Sequence, residues 1–194
     1  MNTNFAFILG NGITRLEVDG KNLLNYGSVY GCNRIYQEFS PTVLVSTDQQ
    51  MASEIQMSGY SKSNMHYTRR SHIIKNSGAK PIPLDIQDMS SGPVGIGLAG
   101  LTAVEYIFLI GFDLKGINHF INNIYSGTVH YKDKDSAPTP WGNWVTQIDL
   151  LIKKFPDKKI IQVNPLHTFT PDIWYKNKNF STMILSEFEG KINN

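Results

Sequence analysis

Two stretches of this chain, "AFILG" at 6–10 and "YIFLIG" at 106–111, are apolar at nearly every position and stop at glycine. A strand with one wet face alternates apolar and polar residues, whereas an unbroken apolar run suits a strand buried on both faces. Such strands belong to parallel sheets covered by helices. Five short runs, β-branched or aromatic rich and ending near Gly, Asn, Asp or Pro, read as strands: Phe5–Leu9, Ser28–Gly31, Thr42–Ser46, Tyr106–Gly111 and Lys159–Val163. Helices are expected between them. Gln49–Ser58 follows Asp48 as N-cap, and Trp144–Phe155 lines up Trp144, Ile148, Leu151 and Phe155 on one face. Gly92–Leu101 is glycine-rich, which costs a helix about 1 kcal/mol per site. Its small residues therefore point to close packing against a strand or a ligand. Strand and helix alternating in this way predict an α/β chain, one domain over 1–194, with an open, mostly parallel, three-layer sheet.

Ligands of such sheets sit beyond the carboxyl ends of the strands. The residues found just after the five runs are Asn11, Asn33, Asp48, Asp113 and Asn164. An asparagine offers a donor and an acceptor without charge, suited to phosphate oxygens, ribose hydroxyls or a base edge. Asn and Asp are also ordinary turn residues, so one alone means little and convergence is what counts. The turn Gly10-Asn11-Gly12 is too short for G-x-G-x-x-G and lacks the lysine of a G-x-x-x-x-G-K loop.

Several function classes are disfavoured. A formal net charge of +2, with Arg69-Arg70 and Lys153-Lys154 as isolated pairs, argues against a nucleic-acid binder. The single Cys32 precludes an intrachain disulfide framework and fits a reducing compartment. No apolar run reaches the roughly 18 residues of a membrane span, and no basic region precedes the first apolar stretch, so a cytoplasmic location is expected. With no H-E-x-x-H and no paired cysteines, no metal site is expected; there is no G-x-S-x-G either.

"ILGNGITRLEVD", "VYGCNRIY", "SSGPVGIGLAGLTAVEYIFLIGFDL" and "VNPLHTF" occur in an order that resembles the small bacterial sialyltransferases. Those are single Rossmann-like domains that use CMP-sugars. Their pattern runs G-N-G-P-S-L, then C-N, then S-G before a helix and a strand ending G-I-D-F, then a P-N-S-type turn. Similar glycine-rich openings occur in other Rossmann-like proteins and in archaeal pterin diphosphokinase-like enzymes. The resemblance implies a Rossmann-like three-layer sandwich with a short lid, and a nucleotide or nucleotide-sugar ligand with a glycan as acceptor. The CMP-sugar would be the donor substrate, with no separate cofactor. Residue by residue, it sets Asn11 and Gly12 against the nucleotide, and Asn33 against the donor. Thr14 would cap the next helix or touch phosphate. Ser91 and Gly92 would hold the sugar carboxylate at a helix start, and Asp113 would meet the ribose or cytidine side.

The departures are specific. Asp48 stands where the family has an asparagine, so a phosphate contact there becomes repulsive. Lys115 replaces a tyrosine and could neutralise leaving phosphate as a point charge. Where the family has its G-H-S histidine, "WGNW" offers Asn143, which cannot accept a proton at neutral pH. His119 and His130, in the expected lid at 115–144, are the substitute bases; His66, His72 and His167 have weaker claims. Trp141 and Trp144 could stack on a sugar or pack the lid onto the core. Three function classes follow: a sialyltransferase-like glycosyltransferase, a nucleotide-binding protein without catalysis, and a pterin diphosphokinase-like transferase. The last would need acidic metal ligands, for which Asp48, Asp85 and Asp113 are available.

Overall fold

The computed structural model describes residues 4–193, with the side chain of His167 outside the described part. Its strands are β1 (Phe5–Leu9), β2 (Ser28–Cys32), β3 (Val43–Ser46), β4 (His66–Thr68), β5 (Lys80–Pro81), β6 (Tyr106–Ile110), β7 (Lys159–Val163) and β8 (Phe180–Met183). All five expected strands form. The three additional ones, β4, β5 and β8, have two to four residues and carry His, Lys, Ser and Thr, so neither length nor apolarity marked them. The eight strands form one sheet in the order β5-β4-β3-β2-β1-β6-β7-β8. Every neighbouring pair is parallel, a stricter outcome than the mostly parallel sheet expected.

The helices are α1 (Gln49–Met57), α2 (Tyr60–Ser63), α3 (Ser91–Gly100), α4 (Gly142–Lys154), α5 (Asp172–Tyr175) and α6 (Leu185–Asn193). From β1 the chain runs outward through β2 to β5, then returns to the other flank of β1 as β6. Crossovers between parallel strands are right-handed, so reversing the direction of travel moves the helices to the opposite face. The two cores follow this division. Ala6 and Ile8 of β1 pack with residues of α3 and α4, while Phe5, Phe7 and Leu9 pack with α1 and with Phe188 of α6. Phe7 stacks on Phe108 at 5.6 Å between ring centroids, and Phe188 closes edge-on over both. Both faces of β1 are thus dry, which explains its unbroken apolar run. The architecture is a Rossmann-like α/β sandwich.

The glycines of α3 serve packing. A Cβ at Gly95 would stand 3.1 Å from Ile8, and one at Gly100 only 2.5 Å from the Phe155 ring. Nearly every residue of α3 is buried, because it lies between the sheet and α4. Connections after β1 and β2 hold no α-helix, only short 3-10 turns at Ile13–Glu17, Asn22–Asn25 and Asn33–Gln37. Consequently the helix start that reaches the switch point between β1 and β6 belongs to α3. Among the described residues no helix is long and apolar enough to cross a membrane.

Candidate functional site

The turn after β1 is built against the turn after β6. Gly10 N–H donates to the Ile110 carbonyl at 2.8 Å, and Gly12 N–H donates to the Gly111 carbonyl at 2.9 Å. A Cβ at Gly10 would meet the Gly111 carbonyl oxygen at 2.5 Å, and one at Gly12 would meet the Asp113 carboxyl carbon at 2.4 Å. Gly111 itself has φ of +74°, a region open to glycine without penalty. The glycines of "GNG" are therefore demanded by backbone-on-backbone contact between two strand exits. Asp113 locks that contact. It is 2% exposed. Its carboxylate accepts the Thr14 N–H at 3.2 Å, the Thr14 hydroxyl, and the Asn122 amide at 2.9 Å. Thr14 thus spends its hydroxyl on Asp113 rather than on a helix cap or a phosphate; it lies inside the 3-10 turn Ile13–Glu17, not ahead of it.

A row of neutral polar groups continues across β2 and β3. Asn33, at a φ of +54°, accepts from the Ser91 hydroxyl at 3.2 Å. That hydroxyl accepts the Thr47 N–H and meets the Thr47 hydroxyl, both at 3.0 Å. One side chain at the start of α3 thereby ties the ends of β2 and β3 together. Ser90 makes no side-chain cap bond and Pro93 has no N–H. Among the described residues, the Ser91 and Gly92 amides have no acceptor, leaving two donors at the positive end of α3.

These groups line a cavity of about 310 Å³ at the switch point, near the lower end of ligand-site volumes of roughly 300–1,000 Å³. Asn11, Gly12, Asn33, Ser91, Gly92 and Asp113 are all at its wall, joined by Trp144. The strap, residues 115–141, contributes Asn122, Asn123 and Tyr131 to the wall. Ile124 N–H donates to the Asn11 carbonyl, and Asn122 Oδ1 accepts the Ile13 N–H, both at 2.9 Å. Tyr125 donates to Glu38, which Arg15 grips in a bidentate pair at 2.8 and 3.2 Å. Asn11 Oδ1 and Tyr131 Oη, on two wall residues, are shielded from solvent and make no well-aligned hydrogen bond, although the Asn11 side chain and the Arg34 backbone lie within reach of the Tyr131 hydroxyl. Buried polar atoms are normally satisfied, so this pair of side chains is the least satisfied polar spot of the wall.

No family model, curated protein or solved structure matches the chain.

Several residues singled out in the sequence lie elsewhere. Asp48 caps α1, its carboxylate accepting the Gln50 and Met51 N–H groups at 3.0 Å each, and it is not part of the cavity wall. The wall residue at that strand end is its neighbour Thr47, which a step of one residue missed. Lys115 and His119 are exposed on the strap, His119 at a φ of +68°. His130 pairs with Glu54 of α1 at 3.0 Å, outside the cavity. Asn143 is exposed in the first turn of α4. Trp141 packs at a tilt against Phe169, 4.9 Å between ring centroids, which is a packing role. His66 is fully buried between the Ser46 and Ser61 hydroxyls at 2.7 and 2.8 Å. His72 lends its carbonyl to Gln56 at 2.9 Å, and the His167 side chain lies outside the described residues. Asn164 bonds Glu17 at 2.7 Å, away from the cavity. An Asp-x-Asp that the sequence reading did not single out, Asp133 and Asp135, is exposed on the strap and is not part of the cavity wall. Asp85 pairs with Lys154, so the three acids required by a diphosphokinase-like site are dispersed.

The titratable groups of the wall are Asp113, Cys32 and Tyr131. Both Asp113 oxygens are engaged within the chain. Burial pushes the Cys32 thiol up to about 12, only partly opposed by Arg15, so it is no nucleophile. Burial likewise raises the Tyr131 hydroxyl well above its ordinary range and keeps it a neutral donor. The wall holds no cationic side chain, and an anion would rely on the α3 amides. What the arrangement can do is bind and orient a polar ligand through amides, hydroxyls and a helix start.

Proposed function

We propose that this cavity binds a nucleotide or nucleotide-sugar, with the CMP-sugars as the class implied by the order of motifs. What supports this is convergence. Asn11, Asn33, Ser91 and Gly92, from three separate segments of the chain, line one cavity. Asparagine amides and a serine hydroxyl suit the hydroxyls of a ribose or the amine of a cytosine; the α3 start suits the phosphate. The cytoplasm is the compartment we assign, on the single buried Cys32.

Isothermal titration with CMP, CDP, AMP and GMP tests the proposal. Cytidine nucleotides are expected to bind best, and Asn11→Ala to weaken CMP by about two- to tenfold, the worth of one hydrogen bond. Equal, negligible heats for all four nucleotides would remove it.

A second function, glycosyl transfer from a CMP-sugar to a glycan, draws on the same motif order. It needs a base, and the two expected histidines stand outside the cavity wall. Donor hydrolysis by the wild type would favour transfer; nucleotide binding without turnover would favour a binding protein.

A further inference from the structure

The Glu54–His130 pair lies outside the cavity, yet it is one residue from Tyr131, whose side chain is part of the wall. His130 has φ of +69°. An L-residue is disfavoured there, and such strain persists only where surrounding contacts over-determine it. The consequence is visible in the two side chains. His130 reaches α1 and Tyr131 enters the cavity wall, so consecutive residues serve opposite sides of the strap.

Glu54 is a shared acceptor. Tyr36 donates its hydroxyl to Oε1 at 2.6 Å and Gln37 donates its amide at 3.3 Å, while His130 Nε2 is 3.0 Å from Oε2. Tyr36 and Gln37 belong to the 3-10 turn that begins with Asn33, a cavity residue. Arg34 of the same turn donates to the Val129 carbonyl at 3.3 Å. The strap turn is closed internally by Tyr131 N–H to the Thr128 carbonyl at 3.0 Å, and the Tyr125 and Tyr131 rings lie 5.5 Å apart. One short element therefore carries a cavity amide at its start and grips the strap beside Tyr131 farther on.

We propose that Glu54 and His130 form a latch that holds the strap closed and sets Tyr131 in the cavity wall. His130 is on this account a positioning residue, acting through its neighbour. The effect on ligand binding rests on the proposed nucleotide site; the effect on the strap itself does not.

Two measurements separate the parts. Hydrogen exchange on the free protein reads the strap through the Ile124, Gly127 and Tyr131 amides, each bonded at the strap. Glu54→Ala and His130→Ala are expected to speed their exchange by about three- to tenfold, the worth of one hydrogen bond. Exchange in β1 and β6 stays as in the wild type. Glu54→Gln keeps an acceptor and should protect the strap nearly as well, and the double alanine variant should exchange no faster than either single one. Unchanged strap exchange in both alanine variants, or equal loss in Glu54→Gln and Glu54→Ala, overturns the latch. In the second measurement, stopped-flow release of CMP is expected to quicken in the alanine variants by a similar factor. Strap exchange that responds while CMP never binds would keep the latch and remove the nucleotide.

Discussion

Gly12 and Asp113 show how a single position is constrained from two sides. A methyl at Gly12 would come within 2.5 Å of Asp113 Oδ2 and 2.7 Å of the Gly111 carbonyl. Backbone cannot retreat there, because Gly12 N–H is bonded to that same carbonyl. The carboxylate would have to move, and it holds Thr14 and the strap residue Asn122. Gly12→Ala is therefore expected to destabilise the protein by about 1–3 kcal/mol, the usual cost of overpacking. Urea unfolding would show this as a lowered midpoint; an unchanged midpoint would mean the turn has slack. Glycine at this position was evident in the sequence as a constraint, but its reason was not. A strand-exit glycine reads the same whether it faces a phosphate or another backbone.

At the scale of elements, α3 inverts an expectation from helix propensity. Replacing glycine by alanine in an exposed helix gains about 1 kcal/mol. At Gly100 the new Cβ would lie 2.5 Å from two carbons of the Phe155 ring, which is itself buried in the core. Displacing a packed ring costs about 1–3 kcal/mol, which outweighs the propensity gain. Gly100→Ala is expected to lower stability, and Phe155→Leu in the same chain to recover part of the loss. A double-mutant cycle on thermal unfolding tests the coupling; additive effects would show that the two positions do not press on each other. The strap is an element of another kind. It contains only an isolated bridge between Ile117 and Phe120, and is held by Asn122 on the Ile13 amide, by the Arg34 side chain on the Val129 carbonyl and by His130 on Glu54 of α1. Its existence was legible as a long irregular stretch, whereas its attachments join residues such as Tyr125 and Glu38 that lie far apart in the chain.

Across the whole molecule, pH links a buried side chain to global stability. Burial depresses His66 to about 4, against an ordinary value near 6.5. Between these values the unfolded chain binds a proton that the folded chain refuses, so stability rises with pH there. The contribution is complete above about pH 6.5 and is lost as pH falls through about 4, amounting to about 3 kcal/mol. Urea midpoints at pH 7, 6 and 5 should fall more steeply for the wild type than for His66→Gln; parallel slopes would show that His66 is not the titrating group. The sequence alone determined the sheet class, the five central strands and the strand-exit residues, because dry strands need unbroken apolar runs and exits need turn formers. Burial of His66, the duty of Asp113 within the chain, the shift of the cavity wall from Asp48 to Thr47, and the outward role of His130 were decided by tertiary structure. Each depends on which distant groups a side chain meets, and local pattern carries no record of a partner a hundred residues away.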